Sequence, residues 1–525
     1  MSNIIPVIDI FAGPGGLGEG FSSFKASNSQ KFKIALSIEK DKFAHSTLLL
    51  RSFFRKFSRE NVPEEYYSRI RGEIATEDLE RRYKNEFVGA SREAWQATLG
   101  GTDPSADEID SRIKEALLGA KKWVLTGGPP CQAYSLVGRS RRGGIDPEDP
   151  RVYLYREYYR ILAVHSPPIF IMENVKGLLS TRVDGDLLFK QILNDLRDPA
   201  RAYHKLNGSI SRKLECDGYY IYSLVKKPDN DDLFDSAPNF KSNDFVIRSE
   251  EYGIPQSRHR VILLGIRKGI NIEPDILARQ KTIPVREVLA GLPRLRSGIS
   301  RIDGKSIRDD DEVWLSRLKD LSSNGILDGG EEKVVTRIRN MIQKLNVPGH
   351  GRGNEFIRGK ANSIYNKEWF LDDQIEGVCN HSTRSHLDTD LVRYLYAAIY
   401  AQVNGTSPKL RDFPEKLLPA HQNANEAVET GKFADRFRVH LKNEPAKTIT
   451  SHISKDGHYY IHYDPTQCRS YTVREAARLQ TFPDNYFFTG PRTSQYIQVG
   501  NAVPPLLANQ IAEIVWKAFD SLSLS

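Results

Sequence analysis

Residues 4–18 read IIPVIDIFAGPGGLG, and this stretch decides the fold class of the chain. Its first half is short, apolar and β-branched, which predicts a buried strand. The run breaks at Gly13 into a glycine-rich turn, and the apolar residues Phe21 and Phe24 predict a helix after it. A strand, a glycine turn and a helix in this order let the backbone approach a bound nucleoside.

Three further apolar runs predict buried strands that end at Glu39, Gly127 and Glu173. Helical segments lie between them, for example from Tyr153 to Val164. Strands that alternate with helices indicate an α/β fold with a mostly parallel, doubly wound, Rossmann-like sheet. The functional groups of such a fold collect at the carboxyl ends of its strands.

This alternation stops after Ile266, where the chain becomes richer in charge and loops. We therefore expect a catalytic domain over residues 1–270, with an insertion at about 75–120, and a second, smaller domain over 271–450. Residues 451–525 are expected to return to the first domain. Two helices are predicted from apolar spacing, one carrying Leu387, Leu391, Tyr394, Leu395 and Ala398, and a terminal one carrying Leu507, Ile511, Ile514, Val515 and Phe519.

The composition limits the class of protein. The chain has 525 residues, 39% of them hydrophobic and 27% charged, with a formal net charge of +8, which suits a globular protein with a polyanionic partner. Its four cysteines are too widely spaced for a zinc site or a disulfide framework, so we expect no metal. The first residues contain no basic stretch followed by a long apolar run, and no later run reaches membrane-spanning length. We expect a cytoplasmic protein without membrane contact.

Glu39 and Cys131 are the residues with the clearest chemical roles. Glu39 ends the strand after the glycine turn, where a carboxylate can hold ribose hydroxyl groups. Cys131 follows Gly127-Gly128-Pro129-Pro130, and the two prolines stiffen its loop. Arg139, with Arg141 and Arg142, can hold phosphates and lower the pKa of the thiol. The alternatives are a turn that binds NAD or only packs, a cysteine that is a small buried hydrophobe, and a solvated basic loop.

Six sequence blocks in a fixed order resemble the motifs of C5-cytosine DNA methyltransferases. The resemblance spans most of the chain except residues 271–450 and a stretch between 75 and 120. The blocks are Asp9 to Phe21, Gly127 to Arg139, Glu173-Asn174-Val175, Gln256 to Arg260, Arg474 to Pro483, and Gly500 to Pro505.

The resemblance implies a mechanism that the chemistry of cytosine supports. The C5 carbon is a poor nucleophile, so a thiolate at Cys131 would add to C6 of a base flipped out of the helix, after which C5 accepts the methyl group of S-adenosylmethionine. Glu173 would act at the ring nitrogen N3. Arg258 and Arg260, predicted on one face of a strand, would grip the base carbonyl and the cysteine loop, whereas His259 faces away and is structural.

The resemblance also implies binding residues. Gln132, Arg139 and Gln256 are expected at the substrate. The acid that contacts the adenine amino group is ambiguous, and Glu73 is the best candidate. The cofactor S-adenosylmethionine is expected against Phe11, Gly13, Pro14, Gly16, Leu17, Glu39, Glu73, Pro130, Leu154, Asn501 and Val503.

Double-stranded DNA is the expected partner, and residues 271–450 are expected to recognise its sequence. The loop 349–353 and the segment 436–440 are candidates for groove contacts, although each can equally be a solvated charged surface. The charges of Arg474 to Gln480 are expected to form structural ion pairs. We expect a monomer that acts in a restriction–modification or phage-defence system, with a cognate endonuclease as a possible partner. Three alternatives stay open: a transfer RNA cytosine methylase, a catalytically dead DNA-binding scaffold and a nicotinamide-dependent oxidoreductase.

Overall fold

The computed structural model describes residues 4–130, 154–183, 185–207, 214, 216–228, 238–302, 305–419 and 435–524. The chain forms two compact units. The first contains Met1–Asn61, Tyr83–Lys281 and Ala502–Ser525, and the second contains Val62–Arg82 and Thr282–Asn501. Within the described residues no helix is long and apolar enough to cross a membrane.

A mixed sheet forms the centre of the first unit. Five of its strands are parallel, and the strand His259–Arg267 runs antiparallel beside them, with two short strands antiparallel to it. Along the sheet the strands are Tyr219–Tyr222, His259–Arg267, Ile169–Val175, Val124–Gly127, Ile5–Ile10, Phe32–Glu39 and Ala94–Gln96, with Val246–Arg248 also paired to His259–Arg267. The predicted α/β fold is confirmed. Buried parallel strands carry continuous apolar runs, which is why four of the five were recognisable in the sequence.

The sheet brings several strand ends to one edge. In the parallel register Ile10 lies opposite Ile38 and Gly127, and Gly127 lies opposite Met172. The antiparallel strand enters at this edge, so Arg260 lies opposite Val175. The ends of the strands Ile5–Ile10, Phe32–Glu39, Val124–Gly127 and Ile169–Val175 therefore lie side by side at the carboxyl edge of the sheet.

Helices and short elements complete the first unit. Its core packs Ile8, Leu36, Leu125 and Phe170 of the sheet against helix residues such as Ile161. The helices are Gly16–Ser22, Lys42–Phe54, Lys84–Glu93, Ala106–Leu117, Tyr155–His165, Leu188–Arg197, Pro199–Asn207 and Pro505–Leu524. The 3-10 helices are Arg59–Asn61, Lys176–Ser180, Ser242–Phe245 and Ser249–Tyr252, and the short strands are Lys25–Ala26, Ser29–Gln30, Arg182–Val183, Asp186–Leu187 and Gln256–Ser257.

The second unit packs around the helix Asp388–Asn404. Leu391, Tyr394 and Leu395 are fully buried, as the apolar spacing predicted, but Leu387 precedes the helix and is 46% exposed. The other helices are Glu64–Arg71, Thr76–Arg82, Val285–Leu289, Asp311–Ser323, Glu332–Ile342, Lys367–Phe370, Val473–Leu479 and Arg492–Asn501. Its strands are Gly298–Ile302, Lys305–Ser306, Gly353–Arg358, Gly377–Ser382, Ser385–Leu387 and Ala446–Lys447. Its 3-10 helices are Asp373–Ile375, Leu410–Asp412, Glu415–Leu417, Ser451–Ser454, His458–Tyr460 and Pro465–Gln467.

The compact units divide the chain differently from the sequence prediction. Only residues 502–525 pack with the first unit, whereas 451–501 belong to the second. Buried arginines hold this segment there, because Arg474 donates to the carbonyl of Cys379 at 2.9 Å and Arg478 to the carbonyl of Val288 at 3.0 Å. Within the segment, Arg469 pairs with Glu475 and Arg478 with Asp484, each at 2.6 Å. The expected structural ion pairs in the block from Arg474 onward are thus confirmed.

The predicted insertion at about 75–120 is divided between the two compact units. Residues up to Arg82 belong to the second unit, and those from Tyr83 onward belong to the first. The later part is built into the sheet, because Ala94–Gln96 pairs with the strand that ends at Glu39.

Candidate active site

The glycine turn has an unusual backbone. Phe11, Gly13 and Gly15 have φ values of 53°, 58° and 93°, in the left-handed region that favours glycine. The amide of Ala12 donates to the carbonyl of Ile38 at 3.1 Å, which fixes the turn to the neighbouring strand. No atom of the described residues lies within 4 Å of a Cβ added to Gly13, so this part of the chain leaves open space beside the turn.

Gly16 is required for close packing at the start of the next helix. A Cβ there would lie 2.2 Å from the backbone carbonyl oxygen of Val503, a contact too short to exist. Val503 and Ala508 form a small buried apolar cluster with Leu17. The chain terminus therefore lies beside the glycine turn within the first unit, as the sequence blocks implied for Val503.

Glu39 faces the turn from the neighbouring strand end. Its Oε2 accepts a hydrogen bond from the amide of Gly13 at 2.8 Å, and its Oε1 accepts one from the amide of Asp41 at 2.8 Å. Burial raises the pKa of this carboxyl group above its ordinary value. The two amides hold Glu39 in one orientation beside the open space at Gly13.

Glu173 and Arg260 form an ion pair at the same edge of the sheet. Arg260 Nε lies 2.9 Å from Glu173 Oε1, and each side chain is only 12% exposed. Gly128 packs over this pair, since a Cβ there would lie 3.0 Å from Glu173 Oε2. Asn174 Nδ2 donates to the carbonyl of Pro129 at 3.4 Å. The loop that leads to Cys131 thus starts directly on the Glu173 strand.

Arg258 and Gln256 are buried near the start of the antiparallel strand. The strand begins at His259 and not at Arg258, whose amide donates back to the carbonyl of Gln256 at 2.9 Å. The carbonyl of Arg258 accepts hydrogen bonds from the amide and the hydroxyl of Ser249 at 3.3 and 2.7 Å. The prediction that Arg258 and Arg260 alternate along one strand was wrong in this respect. His259 Nε2 lies 2.8 Å from Glu250 Oε1, which agrees with a structural role.

The sequence comparisons identify the family. The profile of the C-5 cytosine-specific DNA methylase family matches residues 93–204 and 238–517. A type II methyltransferase of Bacillus paralicheniformis, M.Bpa9945I, is 31% identical over 97% of this chain and 98% of its own length. The chain belongs to the C-5 cytosine-specific DNA methylase family. M.DdeI, a type II methyltransferase of Desulfomicrobium norvegicum, is 24% identical over 99% of this chain and 90% of its own, and M.ApeKI, a DNA (cytosine-5-)-methyltransferase of Aeropyrum pernix, is 24% identical over 77% and 83%.

This methylase transfers a methyl group from S-adenosylmethionine to C5 of cytosine in DNA. The residues around the glycine turn fit such a cofactor, because open space at Gly13 adjoins the fixed carboxyl group of Glu39. Leu154 lies near this region of the fold: a Cβ on Gly100, in the loop after the strand Ala94–Gln96, would lie 3.2 Å from its Cδ2.

Three predicted residues of the methylase, Cys131, Gln132 and Arg139, lie outside the described residues, whereas Pro130 is the last described residue before them. The other cysteines are buried. Burial raises the pKa of Cys379 to about 12 and also raises that of Cys468, so neither thiol ionises readily.

Glu73, the candidate for the acid that contacts the adenine amino group, does not lie in the methylase sheet. It follows the helix Glu64–Arg71 in the second unit, where its carboxylate lies 3.0 Å from both Arg71 and Arg358. The strand next to Glu39 is Ala94–Gln96, with Gln96 opposite Glu39. Asn501 is exposed at the end of the helix Arg492–Asn501 and is assigned to the second unit.

Sequence reasoning gave no role to Asp9, although it lies in the first block. Its side chain is fully buried and accepts a hydrogen bond from Thr126 Oγ1 at 2.9 Å. Burial raises the pKa of Asp9 to about 7. A single acidic residue inside an apolar strand was the signal that could have identified it.

Proposed function

We propose that Cys131 is the nucleophile of this DNA methyltransferase and that Glu173 and Arg260 act on the same flipped cytosine. The contact between Glu173 and Arg260 carries this proposal. It lies under Gly128, so the loop bearing Cys131 departs from the place where a carboxylate and a guanidinium group are already held together. Arg258 and Gln256 are buried and lie just before Arg260 in the sequence. They are the other residues of this group that we propose to act at the base.

The chemistry assigns a step to each side chain. The Sγ atom of Cys131 forms a bond to C6 of the base while Glu173 provides a hydrogen bond or proton at N3, which makes C5 nucleophilic. S-adenosylmethionine, when bound, supplies the methyl group for C5. Loss of the C5 proton to a base then restores the ring and releases the Cys131 thiolate. Arg258 and Arg260 hold the base carbonyl and Glu173 in place, and Gln132 and Arg139 contact the DNA.

We further propose the residues that hold the cofactor. Glu39 binds the ribose hydroxyl groups, because both of its oxygens already accept hydrogen bonds that point the carboxylate toward the glycine turn. The other proposed cofactor-binding residues are supported by their positions in the sequence blocks and in the first unit. It contains Phe11, Gly13, Pro14, Gly16, Leu17, Pro130, Leu154 and Val503, with Asn501 on sequence position alone.

The target sequence is recognised by residues 271–450, in our proposal, since this segment lacks the chemistry blocks. The relatives M.Bpa9945I and M.DdeI are named type II methyltransferases. We therefore place this enzyme in a restriction–modification system, as a cytoplasmic monomer with a cognate endonuclease.

Transfer of labelled methyl groups to duplex DNA tests the catalytic proposal. Cys131→Ser and Glu173→Gln are expected to abolish transfer while DNA binding persists, and Cys216→Ser is the matched control that retains it. A duplex with 5-fluorocytosine at the target is expected to trap a covalent adduct, because fluorine cannot leave as a proton does. Full turnover by Cys131→Ser would refute the nucleophile, and methylation of transfer RNA in preference to DNA would refute the substrate.

A further inference from the structure

Two arginine side chains of the second unit converge on one turn, and a third arginine acts on them electrostatically. Arg492 Nη1 donates to the carbonyl of Thr383 at 2.6 Å. Arg352 Nη2 approaches the same carbonyl at 3.4 Å and donates to Ser385 Oγ at 2.9 Å. Two guanidinium groups are therefore held next to the same peptide group between the strands Gly377–Ser382 and Ser385–Leu387.

Arg384 lies beneath this pair and is only 9% exposed. Its guanidinium group donates to the carbonyls of Lys455 and Ile453 and lies 4.1 Å from the ring of Tyr496. Burial, together with the charges of Arg384 and Arg352, lowers the pKa of Arg492. The three positive charges thus repel one another at close range.

Carboxylates compensate this charge only in part. Among the described residues, no carboxylate oxygen lies within 4 Å of a side-chain nitrogen of Arg384 or Arg492. Arg352 lies 3.0 Å from Asp309, but the same carboxylate also binds Arg296 at 2.7 Å.

Three other arginines of this unit are paired with carboxylates. Arg436 lies 3.8 Å from Asp456, Arg438 contacts Asp435, and Arg358 lies 3.0 Å from Glu376. These arginines therefore carry less uncompensated charge than Arg352, Arg384 and Arg492.

Arg352 and Arg492 are also accessible and fixed in position. The Arg352 side chain is 35% exposed, and Arg492 is partly exposed. The amide of Thr383 donates to the carbonyl of Arg352 at 2.9 Å. The guanidinium group of Arg352 packs closely against Gly298, because a Cβ added to that glycine would lie only 2.6 Å from the guanidinium carbon. Such preorganisation reduces the entropy lost when an anion binds.

We propose that Arg352 and Arg492 bind one phosphate group of the DNA backbone, with Arg384 as a buried cation that strengthens the site. The proposal rests on the DNA methyltransferase function. A phosphate offers several acceptor oxygens and a full negative charge, which suits two convergent guanidinium groups, whereas a guanine edge accommodates one. The contact is independent of base sequence and fixes the second unit on the duplex.

The salt dependence of DNA binding tests the site. The wild type, the double variant Arg352→Ala/Arg492→Ala and the control Arg411→Ala are compared on a cognate and an unrelated duplex. Arg411 is an arginine of the same unit that is 68% exposed and near Asp412. Loss of one phosphate contact lowers the slope of log K against log salt by about 0.9. We expect that change for the double variant on both duplexes, and no change for Arg411→Ala.

A duplex series with one neutral methylphosphonate per molecule locates the phosphate. At one position the wild type is expected to lose affinity, while the double variant loses nothing further there. Arg492→Lys, which retains the charge, is expected to keep most of the slope, and methyl transfer at low salt shows that each variant is folded.

Specific results would overturn the proposal. An unchanged slope in the double variant would exclude the phosphate contact, and a fall of about 1.8 would indicate two separate phosphates. Loss of binding to the cognate duplex alone would indicate base recognition. Failure of the wild type itself to bind or methylate DNA would instead refute the function on which the proposal rests.

Discussion

The buried carboxyl group of Asp9 makes a sharp prediction about stability. The side chain is fully buried at the centre of the sheet, with one hydrogen bond to Oδ1 from Thr126. Burial is the main cause that raises its pKa to about 7; Thr126 and Arg55 oppose the rise, and Glu39 adds to it. Asp9→Asn keeps the size of the side chain and removes its titration.

The sign and the size of the pH effect on stability follow from the difference between the pKa of Asp9 in the folded and in the unfolded state. The pKa rises from 3.8 to about 7 on folding, so the folded state binds the proton more tightly than the unfolded state. This stabilisation is complete below about pH 4 and is lost as the pH rises through about 7. Three pKa units correspond to about 4 kcal/mol, of which about 3 kcal/mol is lost between pH 5 and pH 8.

Urea unfolding of the wild type and Asp9→Asn at several pH values from 5 to 8 measures this effect. The wild type should lose about 3 kcal/mol relative to the variant over this range. Infrared spectroscopy should show a protonated carboxyl band that titrates near pH 7 and is absent in the variant.

Glu19→Gln is the matched control. Burial disfavours the charged form of Glu19, but Arg51 and Arg55 lower its pKa below the ordinary value, so its removal should leave the pH dependence from 5 to 8 unchanged. Parallel curves for the wild type and Asp9→Asn would refute the assignment of a neutral buried acid.

Three further predictions concern the cofactor site and target recognition. Glu39→Ala should weaken S-adenosylmethionine binding by about 1 to 3 kcal/mol in calorimetry, the cost of losing a charged hydrogen bond; an unchanged dissociation constant would place the ribose contact elsewhere. Gly16→Ala should destabilise the protein by about 1 to 3 kcal/mol, because the new Cβ meets the Val503 carbonyl at 2.2 Å, whereas Gly89→Ala, with its nearest neighbour at 3.6 Å, should not lower the unfolding midpoint. Grafting residues 271–450 from a relative with a known target should transfer its methylation pattern, as read by methylome sequencing; active chimeras that keep the original target would contradict the domain assignment.

The strands of the site were predictable from the sequence for a physical reason. A central parallel strand is covered on both faces, so it needs an uninterrupted apolar run, and the runs that end at Glu39, Gly127 and Glu173 have this form. Because these strands are parallel, their carboxyl ends lie at one edge of the sheet. The sequence alone therefore predicted that Glu173 and the start of the cysteine loop lie close together.

Features that depend on distant contacts were not predictable. Ala94–Gln96 has only three residues and becomes a strand through pairing with the Glu39 strand, so no local pattern marks it. Glu73 folds into the second unit, a placement that its local sequence does not mark. The carbonyl of Arg258 likewise accepts hydrogen bonds from Ser249, a partner from another element.

Two kinds of buried or half-buried arginine occur in the second unit, and their sequence context cannot separate them. Arg469 and Arg478 are buried, and each binds a buried carboxylate at 2.6 Å, so removing either would leave an unpaired acid and destabilise the unit. Arg384 and Arg492 instead donate to backbone carbonyls, which orient a guanidinium group without neutralising its charge. An enzyme that must hold a polyanion gains nothing from the first group, whose field is cancelled inside the protein. The second group keeps its field, and this difference in pairing, more than the number of arginines, is the reason to propose that the DNA backbone binds there.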